Sequence, residues 1–568
     1  MKTTTLKMFS FLSIVTLILT ACGGLGKMEK HIEELNAKAE PEPLIVRGDS
    51  VEINITGTFP AKYFHKKVVV EAIPAIVYEG GEAVYETQGY QGEDAAGNYE
   101  MIPYDSGKNF SYSDKVAFTS GMEESTLELR ISGTKGSKTA SFDPLALGTG
   151  VITTPYLVQS DDMFLISEDN FQRVLSFTKE ATVNYAYNAS GVRSAELRDQ
   201  DIKDMVDFVK FASEKDSIVI KGTDVMAYAS PEGEISLNEN LAQERAESAN
   251  ALVSKEMKRR KMAPENEAEF FKNSPKGEDW DGFKTLMEAS DIEDKSLIVR
   301  VLETYSDKTE REQQIKNISK TYKEIEKEIL PSLRRSQITI NYDVEGYTDE
   351  ELSDLSKSNP DILTIEELLF AATLFEGLND KLEIYQNAER VHPGDYRGAN
   401  NVGHCLMMQN KMNDAKAKFQ KALDIENNPY STNNLGAIAR LEGDRTAAMN
   451  MYKDAMSAGD AVKYNKGIVQ IQTGDYASAI NSMGSNNTMN LALAKVLNGD
   501  ASGAKTVMDN SGDESAEAYY LRAVIGARMN TSADVVSNLT TAIEKDGTLK
   551  AKAMKDLEFR DFKDQINF

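Results

Sequence analysis

The side chains best suited to chemistry are sparse in this chain of 568 residues, which has two cysteines and four histidines against 90 carboxylates. His31, His65, His392 and His404 stand far apart, and no His-x-x-x-His or Cys-x-x-Cys pair offers the spacing of a metal site. Cys405 lies beside Leu406 and Met407, the setting of a small buried hydrophobe rather than of a nucleophile. Glu366, Glu367 and the run Asp349 to Glu351 read as solvated helix faces and caps, not as an acid–base pair. The expectation is a chain that is not an enzyme and needs no cofactor or metal. Recognition is what remains. Asparagines recur at equivalent places, Asn400 and Asn401, then Asn433 and Asn434, then Asn465, with His404 close by. An amide carries a donor and an acceptor and so can clamp both polar groups of a peptide backbone. These positions are therefore candidate groove residues; the alternative is that they are merely polar helix starts.

The elements that position them repeat. Gly403, Gly436 and Gly467 pair with Ala415, Ala448 and Ala479, and Phe419, Tyr452 and Met483 follow four residues further on. The copies are offset by 33 and then 31 positions, close to the 34-residue tetratricopeptide period. Small residues let two antiparallel helices cross closely, and the large residue is expected to fill the gap before the next repeat. Degenerate copies at Leu368 to Ala388, Ala492 to Met508 and Ala523 to Ala542, with a capping helix from Leu549 to Phe562, bring the count to about six. An all-α tetratricopeptide solenoid is thus expected over 363–568, after a polar linker over 347–362.

Upstream the texture is that of strands. Val51-Glu-Ile53-Asn-Ile55 alternates with period two, and Val68-Val69-Val70 and Leu127-Glu-Leu129-Arg-Ile131 follow among turn residues, which predicts a β-sandwich over 44–165. Ser132 to Thr139 resembles a phosphate-binding loop only in outline. It lacks the Gly-Lys-Ser/Thr ending and a following helix, and reads as a hairpin turn.

Between 166 and 346 strand and helix patterns alternate: Val183 to Tyr187, Ile202 to Ala212, Ile218 to Ile220, Leu241 to Met257 and Gln337 to Tyr342, an α+β order. Here Ala227-Tyr-Ala-Ser-Pro-Glu-Gly233, then Asn238-Glu-Asn-Leu241-Ala-Gln-Glu-Arg245-Ala246, Gly277-Glu278 and Leu333-Arg334-Arg335 resemble the OmpA-like domain, in a variant with a helical insertion from Phe283 to Leu330. The resemblance implies peptidoglycan as a ligand, with Arg245 on its diaminopimelate carboxylate and Asn238 on the same helix. The family's ammonium-binding Asp falls on the uncharged Ser230; Glu232, two residues on, is the candidate replacement.

The N-terminus carries Lys2 and Lys7, an apolar run from Met8 to Leu19, and Leu19-Thr-Ala-Cys22, which resembles the lipobox of bacterial lipoproteins. The resemblance implies removal of 1–21 and lipidation of Cys22. Several acyl chains at about 0.8 kcal/mol per buried CH₂ suffice for stable anchoring. Residues 22–43, charged and closed by Pro41-Glu-Pro43, read as a solvated tether. No acidic run follows Cys22, unlike surface-displayed lipoproteins of the Bacteroides-like bacteria that this chain resembles, so the periplasmic face of the outer membrane is favoured. The net charge of −26 repels nucleic acid. The expected function is a lipid-anchored envelope scaffold that binds protein partners through its tetratricopeptide groove; the alternative is a peptidoglycan-binding linker between membrane and wall.

Overall fold

The computed structural model describes residues 24–264 and 267–566, which form two compact units. Residues up to 168 and from 377 onward make the first; 169–376 make the second. Cys22 and the signal sequence lie outside the described residues.

The first unit opens with two facing sheets. One has the strand order Lys38–Glu40, Ser50–Phe59, Leu44–Arg47, Val151–Ile152, with Lys108–Ala117 also paired to Ser50–Phe59. The other is built on the antiparallel pair Val69–Tyr78 and Ser125–Lys135. Alternation does what the sequence predicts: Val51, Ile53, Ile55 and Phe59 from one sheet and Leu127, Leu129 and Ile131 from the other are buried in one core. The Ser132–Thr139 stretch is a hairpin, with Gly136 at φ +62 between paired strands.

Residues 24–43 are not a solvated tether. Leu25–Lys30 is a helix, Ile32–Leu35 a 3-10 turn and Lys38–Glu40 a sheet strand. Leu25, Met28, Ile32 and Leu35 recur at steps of three and four, so they share one face, and all are buried in the sandwich core. Gly133 makes room for this segment: a Cβ there would stand 2.7 Å from Leu25 Cδ2. The high charge of the segment belongs to its other face.

The solenoid consists of five antiparallel helix pairs, Tyr396–Met408 with Met412–Ile425, Pro429–Leu441 with Arg445–Asp454, Asp460–Gln472 with Tyr476–Met483, Met489–Leu497 with Ala501–Ser511, and Ala516–Arg528 with Ser532–Lys545. Leu378–Val391 precedes them, and Leu549–Lys555 with the 3-10 turn Leu557–Gln565 closes the stack. The sixth copy read at Leu368 to Ala388 is divided, since Ile365–Thr373 belongs to the second unit. The large residue of each repeat seats on its own repeat's glycine rather than in the gap before the next. A Cβ on Gly403 would meet the Phe419 ring at 2.6 Å, one on Gly436 the Tyr452 ring at 2.9 Å, and one on Gly467 Met483 Cγ at 2.6 Å.

Sandwich and solenoid are joined by polar contacts. Arg47 donates to Gly474 O at 3.0 Å, Arg445 pairs with Asp49, and Thr154 donates to Glu558, itself held by Arg528.

The second unit is a four-stranded sheet in the order Val174–Asn184, Arg335–Glu345, Ile218–Ala229, Phe271–Glu278, the last pair parallel and the others antiparallel. The helices Gln200–Ala212 and Ile235–Arg259 pack on it through Ile202, Met205, Val209, Ala246, Ala249 and Val253. Phe271–Glu278 escapes a pattern reading because it is a mostly exposed edge strand containing Pro275. Helices between Trp280 and Leu333 have their own core around Phe283, Met287, Ile298 and Leu330. The stretch 347–362 is not a linker: Asp349–Ser358 is a helix with a Thr348/Glu351 capping box and a buried Leu352. Thr-x-x-Glu recurs at Thr364/Glu367, where the next helix starts with the same box.

Candidate functional site

Asparagine is a poor residue for a helix interior, because its amide competes with the backbone for hydrogen bonds. Yet Asn400, Asn401, Asn433, Asn434 and Asn465 are all 0–1% exposed on the first helices of successive repeats. Their partners make this tolerable. A strap, residues 158–168, leaves the sandwich and runs extended across these helices, in the direction opposite to the order of the repeats.

The amides hold it residue by residue. Asn401 accepts from Ser167 N at 2.8 Å and donates to Ser167 O at 2.9 Å. Asn434 does the same for Leu165 at 2.6 and 2.7 Å, Asn465 for Met163 at 2.8 and 2.9 Å, and Asn490 for Gln159 at 2.8 and 3.1 Å. In an extended chain the N–H and C=O of one residue point to the same side, and alternate residues are about 6.6 Å apart. One clamp per repeat therefore engages residues 163, 165 and 167 in step. Asn400 and Asn433 reinforce the row, donating to Leu165 O at 3.1 Å and to Met163 O at 2.9 Å, and they accept in turn from Asn434 and Asn465.

Side chains of the strap are read as well. Asp162 forms a two-pronged ion pair with Arg440, the two side chains only 1% and 2% exposed. Asp161 accepts from Tyr464 at 2.6 Å and from Asn490 at 2.8 Å. Burial raises the Asp161 carboxyl above its ordinary range, against the lowering effect of the Tyr464 hydrogen bond. Phe164 stacks on Phe419 at 6.5 Å between ring centres, and Leu165 packs against the cluster of Ala439, Tyr452 and Val462. His404 meets the backbone of Phe164; burial, then Lys381, holds its imidazole below the usual value. Burial pushes the Cys405 thiol up to about 11, so it stays a protonated packing residue.

The sequence reading placed the asparagines on one face but missed Asn490, Tyr464, Arg440 and the strap itself. Asn490 had a signal: like Asn434 and Asn465 it stands two residues before the small residue of its repeat, here Ala492. Arg440 and Tyr464 had none, since their roles follow from a segment some 300 positions away.

In the second unit the residues singled out do converge. Ser230 donates to Glu232 at 2.6 Å, Glu232 pairs with Arg334 at 2.8 Å, and Asn238 donates to Glu232 O and to Glu278 at 3.0 and 2.9 Å. Arg245 is 1% exposed. Its Nε and Nη1 donate to Ala189 O and Tyr228 O at 3.0 and 2.8 Å, and its guanidinium lies over the Tyr185 ring. Burial pushes that guanidinium down to about 10. Each of these charged groups is engaged within the chain. Among the described residues no group of three or more His, Cys, Asp and Glu is placed to hold a metal ion, and no helix is long and apolar enough to cross a membrane.

No family model matches the chain, and no curated protein does. Among solved structures the chain is similar to that of pilF from Pseudomonas aeruginosa, at 15% identity over 38% of this chain and 99% of that one, with a TM-score of 0.29. It is also similar to a tetratricopeptide repeat protein from Parabacteroides merdae, at 13% identity over 37% and 91%, with a TM-score of 0.27. A third is YrrB, described as a tetratricopeptide protein with an unusual peptide-binding site, at 16% identity over 37% and 100%, with a TM-score of 0.23. The second and third of these are tetratricopeptide repeat proteins by their descriptions; what the groove does rests on this chain's own hydrogen bonds.

Proposed function

We propose that this chain is a non-enzymatic scaffold of the bacterial cell envelope, anchored through lipid on Cys22 to the periplasmic face of the outer membrane and docking protein partners. The observation that carries this reading is the strap: an asparagine row built to hold an extended backbone, engaged in cis, makes sandwich and solenoid a single body. Such a body is a framework for other proteins rather than a reaction vessel. Apolar side chains left exposed at the ends of first helices and just beyond, Met408, Leu441 and Met529, offer a place for a partner outside the filled groove. The alternative, an OmpA-like linker to peptidoglycan, has weaker support, because Arg245 is buried and donates to two backbone carbonyls, and Glu232 is paired with Arg334.

The test is made in envelopes of the producing bacterium, with a photo-reactive residue at Met408, Leu441 or Met529 and with Cys22→Ala beside the unaltered chain. The scaffold reading expects a discrete crosslinked protein from these positions and release of Cys22→Ala from the membrane fraction. No crosslink at any position, with the Cys22→Ala chain still membrane-bound, would sink it.

A further inference from the structure

We infer that the inner face of the solenoid is an exchangeable reader of extended acidic segments, with the chain's own Gln159–Ser167 as its resident ligand. The chemistry it selects is two adjacent aspartates followed two positions later by an aromatic residue. The inference deepens the scaffold reading by naming the class of segment that a partner would insert, and it rests on that reading only for its biological setting.

Three observations carry it. First, affinity and selectivity are separated, as in peptide readers that bind the main chain with one set of groups and sample side chains with another. Asn465, Asn434 and Asn401 bind the backbone of Met163, Leu165 and Ser167, which any sequence supplies; Asn400 adds a bond to the Ser167 hydroxyl at 3.1 Å. Arg440 on Asp162, Tyr464 and Asn490 on Asp161, and Phe419 under Phe164 are what discriminate.

Second, the surface beneath the strap is one that water can replace. It consists of amides, a guanidinium, a phenol and the Ser431 hydroxyl, which donates to Asn400. Permanent seams between parts of a protein are more apolar than this. Lifting the strap exposes polar groups that hydrate, together with apolar surface at Phe419, at the Leu165 niche and under Val158.

Third, the strap is held by the solenoid and not by the sandwich it leaves. Its hydrogen bonds run to side chains of the solenoid, and it pairs with no strand of the sandwich. It behaves structurally as a peptide ligand that happens to be covalently attached, so an outside segment of the same chemistry competes with it at the local concentration set by that attachment.

Hydrogen exchange on the full chain tests exchangeability without any substitution. The amides of Met163, Leu165 and Ser167 are expected to exchange at least about tenfold faster than the slowest amides of Pro429–Leu441 and Asp460–Gln472, through local opening. Exchange of both sets at one common rate, that of global unfolding, would show a permanent seam and overturn the inference. The second arm uses a labelled synthetic peptide of residues 158–168 and the full chain carrying Asp161→Ala with Asp162→Ala, whose strap is loosened. That chain is expected to bind the peptide at least about tenfold more tightly than the unaltered chain, and further substitution Arg440→Ala is expected to abolish the gain. A peptide with both aspartates replaced by asparagine should bind at least about tenfold more weakly, as lost charge-assisted hydrogen bonds require. Failure of the loosened chain, still folded by circular dichroism, to take the peptide overturns the inference, as does equal binding of the asparagine peptide. An opening strap in a protein that crosslinks no partner, and whose Cys22→Ala variant stays membrane-bound, would leave the groove assignment standing and the scaffold reading fallen.

Discussion

Leu165 gives both of its backbone polar groups to one side chain: its N–H donates to Asn434 Oδ1 at 2.6 Å, and its C=O accepts from Asn434 Nδ2 at 2.7 Å. Truncating Asn434 to alanine leaves that half-buried N–H without its partner. Orphaned buried groups cost about 1–3 kcal/mol each. Asn434→Ala is therefore expected to lower the unfolding free energy of the first unit by about 1–3 kcal/mol, measured by urea denaturation, since the Leu165 C=O keeps its bond from Asn400. A loss below about 0.5 kcal/mol, the range of neutral surface changes, would mean that the clamp contributes nothing.

Gly403 is glycine because the Phe419 ring occupies the place of its side chain, 2.6 Å from where a Cβ would stand. Gly403→Ala gains about 1 kcal/mol in helix propensity and loses about 1–3 kcal/mol to overpacking. The expected net result is destabilisation. The second change Phe419→Leu should recover part of it, although alone it removes buried ring surface. Thermal melts of the four proteins form the cycle that decides; additive losses would show that the two residues do not compete for space.

His404 binds its proton less readily in the fold than in the open chain, because burial and then Lys381 disfavour the cation. The unfolded chain, with an imidazole near 6.5, thus holds more protons just below that value, so stability falls as pH drops through about 6.5. His404→Gln removes that window. Urea midpoints at pH 7.5 and 5.5 should diverge more for the unaltered chain than for the variant; equal pH slopes would assign the loss to other groups.

Arg245 separates a structural from a ligand-binding role in the second unit. Its bonds to Ala189 O and Tyr228 O and its 1% exposure predict that Arg245→Ala destabilises the unit by about 2–4 kcal/mol, through two orphaned carbonyls and a cavity. The chain is expected not to sediment with insoluble peptidoglycan sacculi. A variant of unchanged stability that loses a sedimentation shown by the unaltered chain would reverse this assignment.

Glu389 offers a test in the opposite pH direction. Burial acts to raise its carboxyl, but hydrogen bonds from Lys418 and Lys421, at 2.7 and 2.8 Å, prevail and hold it below the ordinary value. Its contribution is present above the unfolded value near 4.3 and is lost as pH falls through the lower folded one. Glu389→Gln should cost about 1 kcal/mol at pH 7 and flatten the acid limb of the stability profile; an unchanged acid limb would count against the triad.

Much of the architecture was legible in the sequence because it is written in local periods. Alternation around Val51 to Ile55 sets a strand with one buried side, and the Gly, Ala and large-residue phase around 403, 436 and 467 sets the crossing of paired helices. Leu25, Met28, Ile32 and Leu35 carry the same kind of period for the N-terminal helix, and Thr348-x-x-Glu351 marks the start of the helix at 349, but both signals sit inside charged, polar stretches that have the composition of tethers and linkers. The row of asparagines was visible as a repeat, but a repeat of amides is equally compatible with helix starts and with a groove. The tertiary structure alone decided that the groove is filled, and by what. Gln159 to Ser167 has no period of its own, and its backbone is satisfied by side chains 234 to 331 positions away. A segment whose hydrogen bonds are all distant leaves no trace in its neighbours, so only the folded chain brings Asp162 to Arg440 and Leu165 to Asn434.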